Sequence, residues 1–305
     1  MAYQLSEINA AVRRDPVGFM EECDAQFQRK VEAAADLIVS NMKNSPVILL
    51  SGPSGSGKTT TARKIEHVLD NRGIETYTIS MDDYFITVDP RTAPRTPEGI
   101  IDLESPGMLD MKLLDEHFTR LSRGEPILVP HFEFARQMRN DSEGTPLRLG
   151  KNELAIFEGI HALNTEITRR HPEATRVYIS ARSNIMDGDA LCFKGTWMRL
   201  TRRAVRDYNF RGTDVTRTLN LWDNVRRGEK LYISPYKNTA HLLFDSSLPY
   251  EVSVMASYAQ PMMAALPEEN LRRHELMDLV AAFDSFEPID PKTVPEGSLL
   301  HEFIG

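Results

Sequence analysis

The chain has 305 residues, 41% of them hydrophobic and 26% charged, which is the composition of an ordinary globular protein able to bury a sizeable core. Its formal net charge is -8, with acids and bases interspersed. That is the opposite of the basic excess that marks a nucleic-acid-binding surface.

Residues 1–45 read as a helical extension. Phe27, Val31, Ala34, Ala35, Ile38 and Met42 recur near helical spacing, and Asn44, Ser45 and Pro46 end the pattern. Packing or oligomerisation is its expected use. Val47-Ile48-Leu49-Leu50 is a short all-apolar run, as suits a strand buried on both faces. Glycines follow, then a helical stretch from Lys58 to about Asn71, then ETYTIS at 75–80 as a second strand. Ala155-Ile156-Phe157 and Val177-Tyr178-Ile179 read as further buried strands. The alternation predicts an α/β protein with a parallel sheet flanked by helices. Residues 87–107 carry prolines and charges without a period and are expected to be loop-rich, inside a substrate-covering insert at about 84–150. Residues 194–230 are arginine-rich and helical in pattern, within a lid at about 183–230 that completes a domain spanning 46–255. Residues 262–283 read as helix again, and the tail from Glu287 has three prolines and is expected to wrap the surface, giving a C-terminal unit at 256–305.

Cys23 and Cys192 lie far apart and form no CxxC, so neither a disulfide framework nor a thiolate metal site is expected. No apolar run approaches the roughly 20 residues of a membrane span, and the opening MAYQLSEINAAVRRDP has no apolar signal core. These features predict a cytoplasmic protein with no membrane or nucleic-acid partner.

Gly52-Pro53-Ser54-Gly55-Ser56-Gly57-Lys58-Thr59 fits G-x-x-x-x-G-K-[ST] and lies between a predicted strand and a predicted helix. Glycines let successive N–H groups face one concave point, and the helix beginning near Lys58 aims its N-terminal dipole there. Residues 52–59 with Thr60 are thus the candidate cradle for a nucleoside triphosphate, and the sheet is expected to be of the P-loop NTPase type. Lys58 supplies a mobile charge for the β- and γ-phosphates, and Thr59 a hydroxyl for Mg²⁺. No Asn-Lys-x-Asp is present to read guanine. Glu158 ends the 155–157 strand and is placed to orient a metal-bound water or, alternatively, stands in solvent. Asp82 and Asp83 follow the 75–80 strand; Asp82 is preferred as the group facing the phosphates, either as base or in the metal shell, with a turn acid as the alternative.

In MRLTRRAVRDYNFRG (198–212), helical spacing makes Arg199 and Arg203 neighbours, and likewise Arg202 and Arg206. Such like-charge pairs destabilise an isolated helix by a few tenths of a kcal/mol each, and Asp207 offsets Arg203 only in part. The cluster therefore predicts an external anion, with a solvated, salt-bridged face as the other reading.

GPSGSGKTT, SMDDYF, VPHFEF with Arg139, IFEGIHAL and RRAVRDYNFRG occur in one order along the chain. In this order they resemble the uridine kinase and phosphoribulokinase group of P-loop kinases, specifically its uridine kinase-like branch, from about residue 46 onward. GEKLYISPYKNTAHLLFDSSLPYEV and the closing SLLHEFIG look like a longer bacterial branch. The resemblance implies Asp82 as catalytic base, Glu104 on the acceptor's ribose hydroxyls, and Phe132 and Phe134 as aromatics near the base. It implies Arg139 on the nucleoside, Tyr84 and His161 in the same acceptor region, and Glu158 as the second metal-side acid. Arg203, Arg206 and Arg211 match lid arginines, the first two acting in catalysis with Lys58. Gln137 stands where the best-known nucleoside kinases carry a base-reading histidine, Thr213 replaces a further lid arginine, and Glu104 replaces an aspartate. The implied reaction is Mg²⁺-dependent transfer of the γ-phosphoryl group of ATP, or another nucleoside triphosphate, to a small-molecule acceptor, in the first place the 5′-hydroxyl of uridine or cytidine. Two alternatives stay open: a kinase of a non-nucleoside alcohol or a sugar phosphate, for which His131, Arg136, Arg139 and His161 are available, and a nucleotide-dependent switch without an acceptor. A homo-oligomer is compatible with all three.

Overall fold

The computed structural model describes residues 2–134, 136–273 and 275–305. The chain opens with a strand, β1 (Ala2–Gln4), and continues through α1 (Leu5–Arg14) and α2 (Pro16–Asn41) to β2 (Val47–Ser51) and α3 (Lys58–Asn71). Then follow β3 (Glu75–Ser80), α4 (Met111–Ser122), the strands β4 (Ile127–Glu133) and β5 (Met138–Leu147), β6 (Glu153–Glu158), α5 (Thr165–Thr168) and β7 (Thr175–Ser180). A hairpin of β8 (Asn184–Asp187) and β9 (Ala190–Phe193) leads into α6 (Gly195–Arg211) and α7 (Val215–Gly228). The chain closes with β10 (Leu242–Asp245), α8 (Glu251–Ala264), α9 (Glu268–Leu271), α10 (Leu276–Phe283) and α11 (His301–Ile304).

The expected parallel sheet is present. Five strands lie in the order β10-β7-β2-β6-β3, and all four pairings are parallel. β2, at the centre, is buried along its whole length, as its unbroken apolar sequence requires. Its side chains alternate between faces. Ile48 and Leu50 join the core formed with α2, α3, α6 and α8, while Val47 and Leu49 join the core formed with α4 and α5. β6 repeats this division with Leu154 and Ile156 on one face and Ala155 and Phe157 on the other. All five carboxyl ends point the same way, and the loops leaving them meet along one edge.

The extension departs from its expected all-helical form. Residues 2–4 pair in parallel with 184–186, in a three-stranded sheet ordered β1-β8-β9. Three residues are too few to show a period, and their partner lies more than 180 positions away. The helical remainder packs inward: Met20, Cys23, Phe27, Val31, Ala34, Ala35 and Ile38 are buried, and Phe27 meets Phe244 edge-on at 5.3 Å. Asp15 caps α2 by accepting the Gly18 N–H, with Pro16 at the first helical position.

Residues 87–107 carry one isolated bridge, Arg95–Ile101, and the start of a short 3₁₀ turn at Pro106–Met108, as expected of a loop. The rest of the 84–150 region holds α4, whose Leu114, Phe118 and Leu121 are buried against the sheet, and the antiparallel hairpin β4–β5. The arginine-rich stretch forms two helices, and Gly212 at φ +58 ends the first in a left-handed cap. α8 runs across the expected boundary between residues 255 and 256. The tail does more than wrap the surface. Ile289, Val294, Leu299, Leu300 and Phe303 are buried, and α11 packs on α6 beside the phosphate loop. Among the described residues, no helix is long and apolar enough to cross a membrane.

Candidate active site

The loop between β2 and α3 needs its glycines. Gly55 and Gly57 sit at φ +74 and +75, where a side chain is strained. A Cβ on Gly52 would lie 2.1 Å from the Ile179 carbonyl oxygen, and one on Gly55 2.7 Å from that of Arg199. The loop is therefore closed from behind by protein and open in front. α3 starts at Lys58 with no side-chain cap from Gly57, so its first-turn N–H groups are offered to the cleft. Ser56 Oγ is buried without a hydrogen-bond partner among the described residues. Lys58 Nζ rests on the Pro53 carbonyl at 3.4 Å, and Thr59 Oγ1 donates to Glu158 Oε1 at 3.0 Å.

Glu158 is the last residue of β6, between Leu50 of β2 and Ser80 of β3, and is 7% exposed. Burial raises its pKa, Lys58 pulls it down, and Asp82 and Glu302 add to the rise. Asp82 follows β3 in a 3₁₀ turn (Met81–Tyr84) capped by the Ser80 hydroxyl, which accepts the Asp82 N–H at 3.3 Å. Its carboxylate opens to the cleft yet lies deep among protein atoms. That desolvation raises its pKa, against the pull of Lys58, Arg211 and Arg206. Asp83 turns the other way, accepting the Phe132 N–H at 3.3 Å and facing His131 Nδ1 at 3.4 Å.

Lys58, Thr59, Asp82, Glu104, Glu158 and the α6 arginines Arg203, Arg206 and Arg211 line one cleft of about 190 Å³ with the loop. The three arginines are gathered by one buried acid. Asp207 takes Arg203 Nε at 3.3 Å, Arg206 Nη2 at 2.8 Å and Arg211 Nε at 3.7 Å. Arg203 Nη1 also donates to Ser54 Oγ at 2.9 Å, tying α6 to the loop. Burial and mutual repulsion lower the pKa of Arg203 and Arg211. The other two arginines correct the expectation of a cluster held against its own charge. Arg199 pairs with Glu229 at 2.7 Å and stacks on Trp222. Arg202 is wholly buried with Glu251, Nη2 to Oε2 at 2.6 Å, and also donates to the carbonyls of Gly55 and Ser246. Glu229 and Glu251 lie outside the helix, so the helical wheel does not show them.

Glu104 reaches the cleft from the 96–104 loop, which is pinned to α7 by Arg227–Asp102 at 2.6 Å and to the turn after it by Tyr232 donating to Asp102 at 3.0 Å. Burial pushes the Glu104 carboxyl up to about 7, with Arg203 opposing and Asp102 and Asp82 assisting.

The other expected acceptor residues stand differently. Tyr84 is fully buried, bonded to His117 Nδ1 at 2.8 Å and edge-on to Phe157, so its ring belongs to the core beneath the site and not to the acceptor surface. His161 is also buried, and burial lowers its pKa to about 4, which leaves a neutral imidazole. Arg139 is committed to Asp110 at 2.9 Å and to the Tyr84 carbonyl at 3.1 Å. Phe132 and Phe134 form an aromatic cluster with Phe85, and of the three only Phe85 lines the cleft. Gln137 sits at φ +53 in the exposed hairpin turn and donates to the Phe134 carbonyl, away from the cleft lining. The sequence reading missed Phe85, Leu103 and Glu302, all in the lining. Phe85 and Glu302 lie inside quoted segments, SMDDYF and SLLHEFIG, but nothing local says which way their side chains face.

This donor set suits the groups that a P-loop implies. The cradle is glycine-rich and rich in N–H donors, which fits a polyphosphate. Thr59, Asp82 and Glu158 offer hard oxygen, which fits Mg²⁺.

A protein named uridine kinase from Geobacillus sp. (strain WCH70) is 27% identical over 204 residues, covering 66% of this chain and 87% of the relative. A uridine kinase from Staphylococcus aureus (strain JH9) is 25% identical over 219 residues, covering 70% and 93%. The solved structure described as a putative fructose transport system kinase from Silicibacter sp. TM1040 aligns with a TM-score of 0.48 at 16% identity, covering 70% of this chain and 98% of that one. The model of the Phosphoribulokinase / Uridine kinase family matches residues 47–253, two thirds of the chain, and the protein belongs to that family of kinases.

Proposed function

We propose that the protein transfers the γ-phosphoryl group of ATP to the 5′-hydroxyl of a nucleoside in a Mg²⁺-dependent reaction. The observation that carries this reading is the convergence of Lys58, Thr59, Asp82 and Glu158 on one cleft with three arginines held by Asp207. Loop N–H groups and Lys58 hold the donor's phosphates. Mg²⁺ would be held by Thr59 with Asp82 and Glu158, and would neutralise charge on the donor's phosphates. Asp82 takes the proton of the acceptor hydroxyl, and its raised pKa moves it toward a useful proton acceptor. Glu104, in its ionised form, accepts hydrogen bonds from the acceptor's remaining hydroxyls. Arg203, Arg206 and Arg211 meet the charge on the transferring group and keep water out.

A sugar-phosphate acceptor is less well supported, because the cations it needs are engaged. His131 faces Asp83, Arg136 pairs with Glu133 at 3.2 Å, Arg139 pairs with Asp110, and His161 is neutral. The test is incubation with MgATP and a panel of nucleosides, sugars and sugar phosphates, with the product identified by mass. A phosphorylated uridine or cytidine is expected; a product formed only from a sugar phosphate would overturn the nucleoside reading.

A further inference from the structure

The C-terminal segment has no part in the reaction above, yet it ends at the phosphate loop. Glu302 lines the cleft, and its Oε2 accepts the Thr60 N–H in the first turn of α3 at 3.3 Å. Leu299 lies directly over Gly57, its Cδ1 2.8 Å from where a Cβ would stand. The segment is anchored by Lys64 Nζ on the Gly297 carbonyl at 2.5 Å, Tyr250 Oη with Ser298 Oγ at 2.6 Å, and Asn209 Nδ2 on the Phe303 carbonyl at 3.3 Å. The Arg202 guanidinium stacks on the Phe303 ring at 5.0 Å.

Two facts conflict at Glu302. The free N–H groups of a helix's first turn attract an anion, and a carboxylate satisfies them. The same N–H groups belong to the cradle in which a P-loop places α- and β-phosphates. A carboxylate there also faces Glu158, whose pKa its charge raises, in a cleft that already holds Asp82 and Glu104. Polyphosphate would add further negative charge. A long contact of 3.3 Å made by a partly exposed side chain is readily exchanged for a shorter charge-assisted bond to phosphate.

We propose that Glu302 stands in for a donor phosphate when the cradle is empty, and that nucleotide binding displaces it from the Thr60 N–H and loosens the last turn of the chain. The proposal rests on the phosphate-binding reading of residues 52–60. It makes the C-terminus a position-sensitive wall of the donor site, coupled to the loop through Leu299.

The test is a MgADP titration of wild type and Glu302→Gln by calorimetry, with hydrogen–deuterium exchange of residues 299–305. Glu302→Gln keeps the shape and removes the charge, so MgADP is expected to bind about two- to fivefold more tightly, the scale of one charge at a helix N-terminus. The difference should shrink in high salt. Amides of 301–305 should exchange faster when wild type is saturated with MgADP. A Glu302 with only a structural role would lower the melting temperature and leave the Kd unchanged, which overturns the proposal. Weaker binding by Glu302→Gln, or slower exchange with nucleotide, overturns it as well, since the carboxylate would then be a ligand. Failure of wild type itself to bind MgADP would sink the phosphate-site reading together with this one.

Discussion

Thr59 and Glu158 are joined across the cleft: the Thr59 hydroxyl donates to Glu158 Oε1 at 3.0 Å although 99 positions separate them. The bond sets the first turn of the helix after the phosphate loop against the end of the neighbouring strand, and brings together two oxygens of the proposed Mg²⁺ site. Glu158→Gln keeps an acceptor for Thr59 but removes the charge. The Mg²⁺ concentration for half-maximal activity should rise about 10- to 100-fold. An unchanged Mg²⁺ titration would take Glu158 out of the metal's surroundings.

Asp82 faces the cleft while its neighbour Asp83 is held by the hairpin. Asp82→Asn should lower kcat by about 10²- to 10⁴-fold, with the ATP KM altered by far less. Initial rates against both substrates check this. A kcat within threefold of wild type would assign proton removal to another group.

Glu104 carries a pH signature. Its carboxyl titrates near 7, against an ordinary value of 4.5. Between those values the folded chain holds a proton that the unfolded chain has lost, so this group makes the fold less stable as pH rises from about 4.5 to 7. The ionised form is the stronger hydrogen-bond acceptor for the hydroxyls, so acceptor kcat/KM should rise through about pH 7. Glu104→Gln should flatten both slopes. A pH–rate limb that survives in the variant belongs to some other residue.

Arg202 and Glu251 are both 0% exposed and bonded to each other. Arg202→Met leaves a buried, unpaired carboxylate and should cost about 3–5 kcal/mol of stability. Adding Glu251→Leu should restore much of that loss. Urea denaturation of the two variants decides it, and a double variant no more stable than Arg202→Met would mean that the pair is not coupled.

Tyr84 is a core residue bonded to His117. Tyr84→Phe should remove about 0.5–1.5 kcal/mol of stability and leave the acceptor KM as it was. A large rise in that KM with an unchanged melting temperature would return the ring to the acceptor surface.

Features written in short stretches of chain were legible without coordinates. Strand, glycine loop and helix at 47–71 follow from an apolar run, three glycines and helical spacing within 25 residues, and the sheet type follows from its alternation with later strands. Local chemistry marks these elements: the loop and helix are held by hydrogen bonds between near neighbours, and the strand, though paired with residues more than 100 positions away, declares its burial in an unbroken apolar run. Tertiary structure alone decided which charged and aromatic side chains face the cleft. Periodicity assigns a residue to a face but does not name what covers that face. Arg199 and Arg202 therefore looked like ligands for an external anion until Glu229 and Glu251 arrived from elsewhere in the chain. Tyr84 looked like part of the acceptor site until α4 brought His117 against it. Glu302 looked like the end of a surface tail until burial of Leu299 and Phe303 set it on the phosphate loop. In each case the deciding contact joins residues at least 30 positions apart, and only chain packing reveals it.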